Sequence, residues 1–130
     1  MEPLIIQGND VTPDINFNAN TGVLVMKGVA IPENVKEMFN PMNKWLEEYS
    51  KKPQPATELI IYFDYLNTAA SKMIYNFCDT ISDLHGHENS NVKITWKYTR
   101  GDHEMLELGE EILEQFVCFK EIVAVENLNF

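Results

Sequence analysis

Cysteine is scarce in this chain: of 130 residues only Cys78 and Cys118 are cysteines. They form no CxxC pair, so neither a disulfide framework nor a redox motif is suggested. Each lies in an apolar run, Ile74-Tyr75-Asn76-Phe77-Cys78 and Phe116-Val117-Cys118-Phe119, the setting of a small core residue. Basic residues are scarce too. Ten Lys+Arg against twenty Asp+Glu leave a net charge of −10. Such a surface repels phosphate backbones and anionic lipid, so neither nucleic acid nor membrane is expected as a partner, whereas a protein with a basic patch would suit it. Solubility alone accounts for the same charge. No apolar run approaches a membrane span. The start, Met1-Glu2-Pro3-Leu4, has neither the basic residues nor the apolar stretch of a signal peptide, and the expected location is the cytoplasm. Repeats, low-complexity tracts, Gly-rich phosphate loops, nucleophile elbows and zinc-protease motifs are missing as well. No cofactor is expected.

What is present is an ordinary globular composition, 45% apolar, at a length that fits one domain over 1–130. Leu4-Ile5-Ile6 reads as a short edge strand. Ile15-Asn16-Phe17-Asn18 and Val23-Leu24-Val25-Met26-Lys27-Gly28, separated by Asn20-Thr21-Gly22, read as a β-hairpin. Pro32 is expected to open a helix, along which Val35, Met38, Phe39, Met42, Trp45, Leu46 and Tyr49 form one apolar stripe. Pro41 interrupts it and should bend it. After the loop Lys51-Lys52-Pro53-Gln54-Pro55 comes Glu58-Leu59-Ile60-Ile61-Tyr62-Phe63, so apolar on both alternating faces that it predicts a central strand covered on both sides. A second stripe (Met73, Ile74, Phe77, Cys78, Ile81, Leu84) ends toward Gly86, an expected helix stop. Val92, Ile94, Trp96 and Tyr98 alternate with polar residues as a strand. Met105, Leu108, Ile112, Leu113 and Phe116 form a third helical stripe, and the segment Phe119–Val125 a last strand. Strands followed by βαβαβ predict an α/β fold: a single mixed β-sheet with about three main helices packed on it.

The turn Asp64-Tyr65-Leu66-Asn67-Thr68-Ala69-Ala70-Ser71 joins the central strand to the second helix. Sites in open α/β sheets gather where strands end and helices begin. A helix N-terminus offers unpaired N–H groups and a positive dipole end, which favour an anion. A phosphate on Thr68 would add nearly two negative charges and three strong acceptors at that point. Ala69 and Ala70 keep the first turn small. Lys72 would neutralise part of the charge, and Asp64 would oppose it. The plainer reading is that Asn67 or Thr68 caps the helix, which either residue type does well.

The stretch Ile60-Ile61-Tyr62-Phe63-Asp64-Tyr65-Leu66-Asn67-Thr68-Ala69-Ala70-Ser71-Lys72 resembles the signature of the SiaC family of bacterial regulatory phosphoproteins. The flanking order is similar too: an early strand pair, a helix ending in Trp45-Leu46-Glu47-Glu48-Tyr49, a Trp96-Lys97-Tyr98 strand and the acidic segment from Asp102 to Leu113. The resemblance implies a STAS-like fold, akin to anti-sigma-factor antagonists. It implies a hydroxyl at this turn, Thr68 by position, that a dedicated Ser/Thr protein kinase phosphorylates and a metal-dependent Ser/Thr phosphatase clears. The unmodified form would bind and modulate a signalling target, in this family a diguanylate cyclase. Asp64, Asn67, Ser71 and Lys72 would support the site or touch the partner, and Ser71 stands as a second hydroxyl.

Other constellations compete poorly. His85-Gly86-His87-Glu88 with Asp79 and Asp83 matches no zinc spacing and reads as a helix end and exposed loop. Asp102 reads as the cap of the third helix rather than a catalytic partner of His103, because catalytic geometry converges in space. Glu104, Glu107, Glu110, Glu111 and Glu114 make either a solvated face or a docking stripe. No metal ligands and no catalytic residues are assigned, so an enzyme is not expected. A small enzyme or a constitutive scaffold using the same turn remains the alternative.

Overall fold

The computed structural model describes residues 1–86 and 90–126. Six strands form one sheet in the order of the chain: β1 (Leu4–Ile6), β2 (Asp14–Asn18), β3 (Val23–Ala30), β4 (Ala56–Leu66), β5 (Asn91–Thr99) and β6 (Phe119–Val125). β1, β2 and β3 are antiparallel neighbours, while β3 to β6 run parallel. Parallel neighbours need a crossover. Each is a helix: α1 (Val35–Ser50), α2 (Thr68–Ser82) and α3 (His103–Leu113). The expected single mixed sheet with three helices is what forms.

All three helices cover the same face. Phe17, Leu24, Met26, Leu59, Ile61, Phe63, Val92, Ile94 and Trp96 point into one core with the buried stripes of the helices. The alternate residues form cross-strand rows on the other face, such as Ile5, Asn16, Val25, Ile60 and Thr95. Ile5 is exposed, and Val25 and Ile60 are half-buried. The expectation that the central strand is covered on both sides is therefore corrected. Ile60 and Tyr62 are apolar on the open face because neighbouring side chains shelter them, not because a second helical layer does. Tyr62 is buried there, and its Oη lies 3.1 Å from Thr99 Oγ1.

Local chemistry sets each helix boundary. The first helix does not open at Pro32. Asn34 caps it, its side-chain oxygen accepting the Glu37 N–H at 3.1 Å, and Pro32 stays in the approach segment. The second helix does not reach Gly86. It ends at Ser82, and Gly86, at φ 79°, turns the chain toward β5 with its N–H on the Ser90 carbonyl. Asp102 caps the third helix through the Met105 N–H, as its residue type suggested. That helix sits so close to β5 that a Cβ on Gly109 would lie 2.5 Å from the Trp96 ring. Glycine is what lets the indole fit, and its Nε1–H donates to the Met105 carbonyl at 3.1 Å. Burial pushes the Cys78 thiol well above its usual range, with Cys118 and Asp79 adding to the effect, so this thiol is a core residue. No helix is long and apolar enough to cross a membrane among the described residues.

Candidate functional site

The site begins with a fault in strand pairing. Lys27 faces Tyr62 and Gly28 faces Phe63, but Val29 then faces Tyr65. Asp64 is the extra residue of a β-bulge, taken up beside Gly28 at φ 116°. Side chains alternate along a strand, so one extra residue inverts the phase. Phe63 points into the core, Tyr65 is 58% exposed, and Leu66 packs against the core again. The bulge turns two adjacent residues, Asp64 and Tyr65, outward immediately before the turn. Tyr65 was not singled out from sequence. Its signal was the failure of strict alternation after Phe63, which a run apolar on both faces conceals.

The chain then enters α2. The Asn67 N–H donates to the Ala30 carbonyl at 3.0 Å, tying the turn to the end of β3. The Asn67 side-chain oxygen accepts the Ala70 N–H at 2.8 Å. Asn67 is therefore the cap, which settles the choice left open between it and Thr68. Thr68 is the first helical residue and is exposed. Among the described residues its hydroxyl has no hydrogen-bond partner. The first-turn N–H groups of Thr68 and Ala69 have no acceptor within the helix either. Ser71 differs. It is half-buried, and its Oγ donates to the Asn67 carbonyl at 3.1 Å. Of the two hydroxyls, one faces solvent unbonded and the other is held by the backbone. Asp64 and Lys72 are both exposed and make no ion pair among the described residues. The structure thus brings Asp64, Asn67, Thr68, Ser71 and Lys72 to one end of the sheet.

The remaining candidates lie elsewhere. His85 is half-buried rather than exposed. Its Nδ1 accepts the Val92 N–H at 3.0 Å, and its ring meets the edge of Phe119 at 5.1 Å. With Nδ1 accepting, the neutral ring carries its proton on Nε2. His87 and Glu88 fall outside the described residues, among which no group of three metal-ligating side chains occurs. His103 is exposed on the first turn of α3, and Glu104, Glu107, Glu110, Glu111 and Glu114 are all exposed.

The geometry defines a small one-sided α/β fold with an exposed, unbonded hydroxyl at the start of its central helix. The comparisons specify the family. The model of the SiaC family, described as regulatory phosphoproteins, matches residues 6–124, and the chain belongs to that family. An uncharacterized protein of Pseudomonas aeruginosa (strain UCBPP-PA14) is 32% identical over 114 residues, covering 88% of this chain and 90% of its own. The structure of SiaC of Pseudomonas aeruginosa superposes with a TM-score of 0.86 at 31% identity, over 96% of this chain and 100% of that one. A chain in the crystal structure of the diguanylate cyclase SiaD with its activator SiaC, also from Pseudomonas aeruginosa, gives a TM-score of 0.87 at 31% identity, over 94% and 99%.

Proposed function

We propose that this chain is a phosphorylation-controlled partner switch in which Thr68 is the phosphoacceptor and the unmodified form binds and modulates a diguanylate cyclase. The observation that carries the reading is the division of labour at the turn. Asn67 does the capping, so the Thr68 hydroxyl is exposed and unbonded at the positive end of α2. A kinase can reach that oxygen without breaking a structural bond. The phosphate formed there is favoured by the helix dipole and by the unpaired N–H groups beside it. Lys72 offsets part of its charge and Asp64 opposes it. Family membership and the complex of SiaC with SiaD support the choice of target.

The target docks on the turn and on the exposed side of α2. A phosphate puts charge and bulk into that contact, where an unpaired buried charge is costly. A Ser/Thr protein kinase writes the mark and a metal-dependent Ser/Thr phosphatase erases it. No catalytic role is assigned to the chain in this reading: the base at the turn is the exposed Asp64, His85 is engaged at the other end of the sheet, and His103 is exposed on the first turn of α3. The test compares wild type, Thr68→Ala and Thr68→Glu for cyclase binding, with peptide mapping after incubation with the kinase and ATP. Thr68→Ala is expected to bind, and Thr68→Glu to bind at least tenfold more weakly, about 1.4 kcal/mol. Equal binding by the two variants removes the electrostatic switch. Phosphate found only on Ser71 or elsewhere removes Thr68 as acceptor.

A further inference from the structure

A cleft opens between the loop joining β1 to β2 and the first turns of α1. It encloses about 430 Å³, a volume suited to a side chain or a small ligand. Its walls are apolar: Ile6, Ile15, Met38 and Met42, with Pro13 and Pro41. Its mouth has the opposite character. Glu33 and Glu37 line it, both exposed and neither ion-paired among the described residues. The helix dipole accounts for Glu37, which lies in the first turn of α1. Glu33, one residue before the cap, sits at the same positive end. Pro41, inside α1, lacks a backbone donor and so leaves the Glu37 carbonyl without the partner that the helical pattern would supply. The uncharged polar side chains lining the cleft are only Thr12 and Asn34, and the Asn34 side-chain oxygen is already taken by the Glu37 N–H.

A backbone path connects the cleft to the turn at Thr68. The Ile31 N–H donates to the Val11 carbonyl in the β1–β2 loop at 2.9 Å, and the preceding Ala30 carbonyl accepts the Asn67 N–H at 3.0 Å. Two backbone hydrogen bonds therefore link the cleft wall to the cap of α2, and both features sit at one end of the sheet.

From this we infer that the cleft is a second contact for the protein target and accepts an apolar side chain carried on a segment flanked by lysine or arginine. Complementarity selects that occupant. The unbranched Met38 and Met42 adapt to an inserted aliphatic group. The two carboxylates then meet its basic neighbours, and the net charge of −10 steers a basic segment toward them. The identity of the target rests on the function proposed above, whereas the preference of the cleft does not.

Two measurements test this. The full chain, with labelled methionine methyls, is titrated with a helical peptide carrying one leucine between lysines. Control peptides replace the leucine by serine or the lysines by glutamates. Only the first peptide is expected to shift the Met38 and Met42 methyl signals, with affinity falling roughly tenfold, ~1.4 kcal/mol, in Glu33→Gln/Glu37→Gln. No shift at these methyls, or equal shifts with either control, overturns the inference. If dilution of the chain alone moves the same signals, the occupant is a second copy and the inference again fails. The paired glutamine variant is then assayed against the cyclase. Weaker binding than wild type supports the second contact, and undiminished binding overturns it. If wild type fails to bind the cyclase while the leucine–lysine peptide still binds, the fault lies with the proposed target and not with the cleft.

Discussion

The two ends of the parallel sheet are built on opposite terms. At the end where β4 and β5 begin, polar groups are buried and bonded in a closed circuit. The Tyr49 and Thr57 hydroxyls lie 2.8 Å apart, and those of Thr57 and Ser90 2.7 Å apart. Ser90 Oγ donates to the Gln54 carbonyl at 2.7 Å, and the Gln54 N–H returns to Tyr49 Oη at 3.1 Å. Each hydroxyl has one proton to give. The direction is therefore fixed: Tyr49 donates to Thr57, Thr57 to Ser90, and Ser90 to the carbonyl. Tyr49, Thr57 and Ser90 are each no more than 2% exposed. At the other end, Asp64, Tyr65, Thr68 and Lys72 are exposed, and local bonds through Asn67 hold the turn. The closed end fixes the fold. The open end can accept charge or a partner without disturbing buried groups.

Substitutions at Tyr49, Thr57, Asn67 and Thr68 probe that contrast, beginning with the closed end. Tyr49→Phe strands the Gln54 N–H and removes the donor to Thr57, at an expected cost of about 1–3 kcal/mol. Urea unfolding measures it. The double variant Tyr49→Phe/Thr57→Val should cost less than the sum of the single ones, because the two groups share one circuit. Strict additivity would break the idea of a circuit. The next effect is smaller. Asn67→Ala removes the cap and should cost about 1 kcal/mol, most of which Asn67→Asp restores. If the alanine variant unfolds with the wild-type midpoint, Asn67 does not hold the turn. Smallest in stability is Thr68→Ala, expected within about 0.5 kcal/mol of wild type as for other exposed positions, yet taking up no phosphate from the kinase. A large loss of stability there would mean that the open end is structural after all.

Much of the site was legible because its signals are local. A strand running into Asn67-Thr68-Ala69-Ala70 announces a helix start whatever surrounds it. Asn67 and Thr68 are both good caps, so only geometry could divide the roles, and it gave the cap to Asn67. What stayed hidden depends on pairing between distant residues. The bulge at Asp64 exists because Gly28, thirty-six positions earlier, admits it. The hydroxyl circuit joins α1, a loop, β4 and the approach to β5. The uncovered face was misread for a related reason: Ile60 and Tyr62 are apolar because cross-strand neighbours shelter them, and such neighbours are invisible along the chain. Pro32 and Gly86 were misplaced because each residue type suits a helix boundary without fixing where the boundary falls.

The bulge also makes the turn a matter of counting. A strand has a two-residue rhythm, and Asp64 is an odd beat that puts Tyr65 on the outside and brings Leu66 back in. Deleting Asp64 alone would leave Tyr65 outside and Leu66 inside, in plain alternation from Phe63, whereas deleting Tyr65 or Leu66 would remove the residue that one face presents. A relative one residue shorter here should therefore have lost the bulge and kept both faces, with the turn set one step nearer the end of the strand.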